Sequence, residues 1–279
     1  MANDKWQMTN DKVKSIEEEP LSADAITLGL GTRLLARRVV YHARVASTND
    51  IAKQLADAGE PEGALVIADE QVAGRGRLGR TWVTPPRSSI LMSLILRPRA
   101  LAPHQIARVT MAVALGACDG IRAATGLEAR IKWPNDLLLR GKKCAGILAE
   151  AETTEDRLDY VIVGMGLNVN FAAASLPDLP RDATTLADEL GAPTPRAPLA
   201  QALLQHIEHY YLRLKQGENL RDEWAARLVT LHQPVRAQTA WGVEEGIAEN
   251  VDDVGALLVR RADGSLARLI EGDVTLSPR

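Results

Sequence analysis

ARIKWPNDLLLRGKKCAGILAEA, residues 129–151, decides the fold class. Three apolar runs follow one another in it: Ala129–Lys132, Asp136–Leu139 and Cys144–Ala151 read as strands. Gly141-Lys142 marks a hairpin turn between the second and the third. A fourth run, Tyr160–Gly166, comes soon after. Strands joined by hairpins pair antiparallel, whereas parallel neighbours need a long crossover. Alternating βαβ units do not dominate, so the chain is predicted to be α+β, with a mixed, mainly antiparallel sheet and helices.

Upstream of this stretch, Leu21–Leu30 suits a short helix and Val39–Val45 a strand. Ser47-Thr48-Asn49-Asp50 opens a helix over Asp50–Ala58, because these side chains accept from orphan helix N–H groups. Gly59 and Pro61 close it. Ala64–Ala68 and Ile90–Leu96 read as strands, and Pro103–Ala124 carries helical periodicity. Downstream, Thr184–Leu190, Pro198–Lys215 and Asn219–Leu231 read as helices. From about Gln233, short β-prone runs alternate with turn signals, the pattern of a small β-barrel. The predicted organisation is a polar tail at 1–20, a main domain at 21–232 and a β domain at 233–279.

The chain has 279 residues and 46% hydrophobic content, enough to bury a sizeable core. Its formal net charge is −3, so the globally basic footprint of a nucleic-acid binder is absent. The first residues lack the apolar core of a signal peptide. No apolar run is long enough to span a membrane. A cytoplasmic protein without nucleic-acid or membrane partners is expected. Cys118 and Cys144 lie in apolar surroundings without metal-site spacing, which predicts two buried free thiols. His206 and His209 stand three apart but have no third ligand nearby.

Four segments carry chemistry. Gly74-Arg75-Gly76-Arg77-Leu78-Gly79-Arg80 combines mobile backbone with permanent cationic forks suited to phosphate or carboxylate. It matches neither the phosphate-cradling loop nor the dinucleotide fingerprint. Lys132-Trp133-Pro134-Asn135-Asp136 ends a β-prone run on a lysine able to point into a cleft. Gly164-Met165-Gly166-Leu167-Asn168 lets backbone approach a ligand, and Asn168 offers the paired donor and acceptor that an adenine edge needs. Ser47-Thr48-Asn49 provides hydroxyls for a polar head group, or simply a helix cap. Trp82 and Trp133 either wall a pocket or pack in the core. No nucleophile elbow or metalloprotease helix is present.

Read in order, Ser47-Thr48-Asn49, Gln71 with Gly74–Arg80, Lys132–Asp136, Gly146-Ile147-Leu148 and Gly164–Asn168 resemble the biotin–protein ligases. The match spans roughly Val39–Asn170, and the family's small C-terminal β domain corresponds to Gln233–Arg279. The resemblance implies a core like that of lipoate ligases and class II synthetases, followed by an SH3-like barrel. It implies that Ser47, Thr48 and Gln71 hold biotin through its ureido group, with Asn49 also biotin-binding, beside the backbone of Gly146. Arg75 and Lys132 become the catalytic cations, on the biotin carboxylate and the α-phosphate. ATP falls to Arg75, Gly76, Arg77, Arg80, Trp82, Asn135 and Asn168, the last on adenine. The 75–80 loop is expected to order on ligand binding.

The implied reaction takes ATP and biotin as substrates, with Mg²⁺ and without a metal site in the protein. Biotinyl-5′-adenylate and pyrophosphate form first, and biotin then passes to a lysine of a biotin carboxyl carrier domain of acetyl-CoA carboxylase or a related carboxylase. A monomer or a homodimer is compatible with the family. Only 46 residues precede Ser47, which leads us to expect a monofunctional ligase without a DNA-binding domain. An adenine-stacking tryptophan of some members has no counterpart near Arg181–Thr185. A lipoate or octanoate ligase, a biotin sensor and an RNA-binding module are the competing readings.

Overall fold

The computed structural model describes residues 21–276 apart from 178, 181, 240 and 241; the expected tail at 1–20 lies outside the described residues. The chain opens with α1 (Ala23–Thr27), β1 (Val39–His42), α2 (Thr48–Asp57) and β2 (Leu65–Ala68). β1 and β2 pair in parallel, with α2 as their crossover. Every other pair in the sheet is antiparallel: β3 (Ser89–Leu96) lies between β2 and β7, and β4 (Ala129–Lys132), β5 (Asp136–Leu139), β6 (Lys142–Thr154) and β7 (Arg157–Asn168) form a meander. The strand order is β1-β2-β3-β7-β6-β5-β4. The α+β class expected from the hairpins is therefore the one observed.

Two turns explain small shifts from expectation. The β5–β6 turn is made by Arg140 (φ 48°) and Gly141 (φ 82°), so Lys142 already belongs to β6. Two successive left-handed residues match the twist of a tight hairpin. β6 and β7 run on past Ala151 and begin before Tyr160, joined at Glu155 (φ 55°) and Asp156. The polar sequence of this hairpin extension hid it from a hydrophobicity reading.

α3 (Ala107–Thr125) and α5 (Arg196–Lys215) cover one face of the sheet, burying Met92, Leu94, Val163, Leu167 and Ile147. α2 covers part of the other face through Ala52, Ala56, Ile95, Tyr160 and Ile162. α4 (Leu186–Leu190) and α6 (Arg221–Ala225) are short. The helix expected over Asn219–Leu231 is confined to α6, because the edge strand β4 captures the residues beyond Ala226. Ile131 donates to Arg227 O, and Val229 donates to Ile131 O, each at 2.9 Å.

A second, antiparallel sheet is built from β8 (Pro234–Thr239), β9 (Gly242–Val251), β10 (Leu257–Arg260), β11 (Leu266–Leu269) and β12 (Asp273–Leu276). Its order, β11-β10-β9-β8-β12, is compatible with an SH3-like unit. Trp133 joins the two sheets: it is buried, and its Nε1 donates to Gly255 O at 2.9 Å. That makes it a core residue. Cys118 and Cys144 are buried free thiols, and burial pushes the Cys118 thiol up to about 12. Neither is a reactive thiolate.

Candidate active site

β7 carries the geometry of the site in its alternation. Val161, Val163, Met165 and Leu167 face the helices, while Ile162, Gly164, Gly166 and Asn168 face the other way. Across the ladder, Gly166 lies opposite Gly146 of β6, and Gly164 lies opposite Ser93 of β3. α2 covers one end of this face. Over the other end the glycines leave a cleft of about 390 Å³, closed by the 74–82 loop and bordered by β12. All thirteen residues assigned to the site from sequence line it: Ser47, Thr48, Asn49, Gln71, Arg75, Gly76, Arg77, Arg80, Trp82, Lys132, Asn135, Gly146 and Asn168.

One end of the cleft is polar and uncharged. Ser47 occupies the N-cap position of α2, yet its hydroxyl caps nothing and has no partner among the described residues. The capping reading of this serine therefore does not hold, and its buried hydroxyl is uncommitted. Thr48 donates to Gln71 Oε1 from both its N–H (2.7 Å) and its hydroxyl (3.0 Å). The amide nitrogen of Gln71 is left without a partner among the described residues.

Cations dominate the middle. The loop is a closed turn: Gly76 N–H donates to Arg80 O, Trp82 N–H donates to Gly74 O, and Arg75 bridges to Thr81. Leu78 (φ 55°) and Gly79 (φ 73°) reverse the chain at its tip. Arg75 is held by Asp50 and Glu150. Arg77 donates to Asn135 Oδ1 at 3.1 Å and reaches Gly272 O at 3.4 Å. Burial pulls its guanidinium below the ordinary arginine range, against the carboxylates of Asp136, Glu271 and Asp273. Arg80 pairs with Asp273 of β12. Lys143 pairs with Asp136 at 2.6 Å. Lys132, half-buried at the end of β4, has no hydrogen bond or ion pair among the described residues.

The third region suits a flat ring. Trp82 lies against the paired glycines of β6 and β7: a Cβ on Gly166 would sit 2.4 Å from its Cε2, and one on Gly146 3.2 Å from its Cζ3. Lys143 Nζ stands 5.8 Å from the indole centroid. Asn168 donates to Thr184 O at 3.1 Å, and its Oδ1 is buried with no partner among the described residues. A buried amide oxygen without a donor is costly, so this one points to a ligand donor.

Sequence reading missed Ser93, Glu150 and Asp273, which hold the predicted residues in place. Ser93 carried a signal, a hydroxyl in the middle of the apolar strand SILMSLIL. Glu150 and Asp273 carried none, being far in sequence from Arg75 and Arg80. Among the described residues no cluster of three or more His, Cys, Asp or Glu side chains is placed to hold a metal ion.

Comparisons with known proteins bear on the family and the fold. Residues 41–168 match the model of the biotin/lipoate A/B protein ligase family. The chain is 37% identical to a biotin–[acetyl-CoA-carboxylase] ligase of Paracoccus denitrificans, over 80% of this chain and 94% of that one. It is 34% identical to the ligase of the same name from Mycobacterium tuberculosis, over 87% and 89%. In fold it is similar to the Aquifex aeolicus biotin protein ligase solved in complex with biotin and ATP. That likeness has a TM-score of 0.73 at 24% identity, covering 87% of this chain and all of the other.

Proposed function

This chain belongs to the biotin–protein ligases, and we propose that the cleft beneath the 74–82 loop activates biotin with ATP and passes it to a lysine of a biotin carboxyl carrier domain. In the first step a biotin carboxylate oxygen attacks the α-phosphorus of ATP. A P–O bond forms to the acid, the bond to the β-phosphate breaks, and pyrophosphate leaves. In the second step the neutral amine of the acceptor lysine attacks the acyl carbon. A C–N bond forms, the acyl C–O bond breaks, AMP leaves with the electron pair, and the amine proton passes to solvent. No covalent enzyme intermediate is needed.

Each region of the cleft takes one part. The uncommitted Ser47 hydroxyl, Thr48 and the free amide of Gln71 bind the ureido group beside Gly146. Lys132 and Arg75 bring charge to the point where carboxylate and α-phosphate meet, two anions that repel each other unless the site is already cationic. Arg77 and Arg80 are proposed for the phosphate chain, with Gly76 giving backbone access and Asn135 fixing Arg77. Trp82 offers a stacking face for adenine, and Asn168 Oδ1 accepts from its amino group. Mg²⁺ is proposed to arrive with ATP on the phosphate oxygens. The closed loop excludes water from an adenylate that water would hydrolyse. We place the reaction in the cytoplasm, with the carrier domain of acetyl-CoA carboxylase or a related carboxylase as acceptor. Asn49, which lines the same pocket, also holds Glu150 and meets Ser93 through its amide.

The observation that carries this reading is Lys132, a half-buried cation without a partner among the described residues, which shares the cleft with an uncharged polar pocket and an adenine-type acceptor. Its test is transfer of labelled biotin to a purified carboxyl carrier domain in the presence of MgATP. The expected product is one biotin on one lysine, with no label on a carrier whose acceptor lysine is changed to arginine. Absence of label on the intact carrier, from folded enzyme, overturns the reading.

A further inference from the structure

Arg75 is gripped at one corner. Its Nη2 donates to Glu150 Oε2 at 2.9 Å and lies 2.8 Å from Asp50 Oδ1. A guanidinium carries five N–H donors in a fixed fork. The donors on Nη1 and Nε therefore remain available, without a partner among the described residues.

Glu150 is itself fixed from behind. Asn49 Nδ2 donates to the same Oε2 at 2.6 Å. This sets the orientation of the Asn49 amide, whose Oδ1 then meets Ser93 Oγ at 2.6 Å. Ser93 Oγ is also 2.7 Å from Thr48 Oγ1, and Thr48 donates to Gln71. Polar contacts thus link Gln71 and Thr48 in the uncharged pocket to Ser93, whose single hydroxyl proton serves either Thr48 or Asn49, and pass through Asn49 and Glu150 to Arg75 in the loop. Thr48, Asn49 and Ser93 are buried, at 3%, 4% and 0% exposure. Gly164 makes the path possible, since a Cβ there would stand 2.2 Å from Asn49 Oδ1. Each end of the Asn49 amide makes a protein contact, at Glu150 and at Ser93, and Glu150, an anion at the edge of an anion site, is placed to hold a cation.

We propose that Glu150 is a positioning residue for Arg75, supported from behind by Asn49 and Ser93 and from the side by Asp50. It anchors one corner of the guanidinium, so that the free donors meet the acyl phosphate and the loop stays shut on the intermediate. This rests on the adenylation reading above. A carboxylate loss that merely weakened the fold would raise the KM for biotin and add to any other defect. A positioning role instead makes the loss vanish once Arg75 is gone.

The test uses the full-length enzyme, loaded in a single turnover with labelled biotin and MgATP. Escape of the labelled adenylate into a chase of unlabelled biotin is then timed. Glu150→Gln keeps length and an acceptor but removes charge, and its escape rate is expected to rise roughly fivefold, the upper range for a partly exposed ion pair. The KM for biotin is expected to stay within about twofold. In an Arg75→Ala background, adding Glu150→Gln is expected to change escape by less than about twofold, the signature of coupled sites. Asp50→Asn, on the exposed rim, is expected to behave in the same way at about half the size, and it carries the test if Glu150→Gln does not fold. Wild-type enzyme that forms no adenylate overturns the adenylation reading together with this proposal. Wild-type enzyme that forms it, with both variants unchanged or fully additive with Arg75→Ala, overturns the proposal alone.

Discussion

Two sets of cations in this molecule meet opposite treatment. Away from the cleft, several arginines are matched by carboxylates, while half-buried Arg97 and Arg108 donate to backbone carbonyls. Arg196 and Asp69 pair at 2.6 Å with both side chains 4% exposed, and Tyr41 donates to the second oxygen of Asp69 at 2.8 Å. Arg227 forks onto both oxygens of Asp119, and Arg213 holds Glu218 and Glu223. In the cleft, Arg75, Arg77 and Arg80 rest on partners at its rim, and Lys132 has none among the described residues. Folding alone gives no reason to keep a half-buried ammonium unmatched, because desolvating it costs free energy that no partner returns. We take the difference to separate charge that holds the fold from charge proposed for a ligand.

That contrast is open to direct attack. Arg196→Ala strands the Asp69 carboxylate in the interior and is expected to cost about 3–5 kcal/mol of stability, measured by chemical denaturation. Retained stability would show that this pair is not a fold-holding charge. Lys132→Ala is expected to do the reverse. Adenylation falls roughly 100- to 1000-fold, about 3–4 kcal/mol in the barrier, while the thermal midpoint stays put or rises. Gly166→Ala pushes a methyl into Trp82 and is expected to raise the KM for ATP about tenfold, within the range of one base–aromatic stack, with the KM for biotin unmoved. A change in both constants would break the division of the cleft into acid and nucleotide ends.

The smallest expected effect is on acid stability. Burial raises the Asp119 carboxyl, but hydrogen bonds from Arg227 and Tyr210 outweigh it and hold the group below its usual range. A depressed folded value gives stability that is complete above the unfolded pKa, about 4, and is lost as pH falls through the folded value. Asp119→Asn is expected to flatten the loss of unfolding free energy below about pH 4. An unchanged slope would remove Asp119 from the structural set.

Much of this was legible in the chain because it is local. Hairpin turns, apolar runs and the glycine positions of β7 follow from short-range chemistry, and those features located the sheet; the thirteen candidate site residues came from short motifs and the family they resemble, and all of them line the cleft. The reasons behind them were not legible. Gly164 is small for the sake of Asn49, which lies 115 positions earlier, and Gly166 for the sake of Trp82. The partners of Arg75 come from α2 and β6 and that of Arg80 from β12, at separations that sequence pattern does not reach. Tertiary contact also overrode propensity where β4 captured the residues after α6, and where Val45 left β1 to bridge Gln71. Ser93 shows the remaining opportunity: a hydroxyl in an apolar strand is a local anomaly with a long-range cause.

The central claim is that Lys132 is a cation kept free for an acid and a nucleotide. Hydroxylamine-driven pyrophosphate release from MgATP tests it most directly, with biotin, lipoate and octanoate compared for the wild type and Lys132→Ala. Hydroxylamine consumes the acyl adenylate, so no carrier protein is required. The expected result is release with biotin alone, reduced at least roughly 100-fold in Lys132→Ala. Release with lipoate or octanoate instead, or an undiminished rate in the variant, would contradict the account.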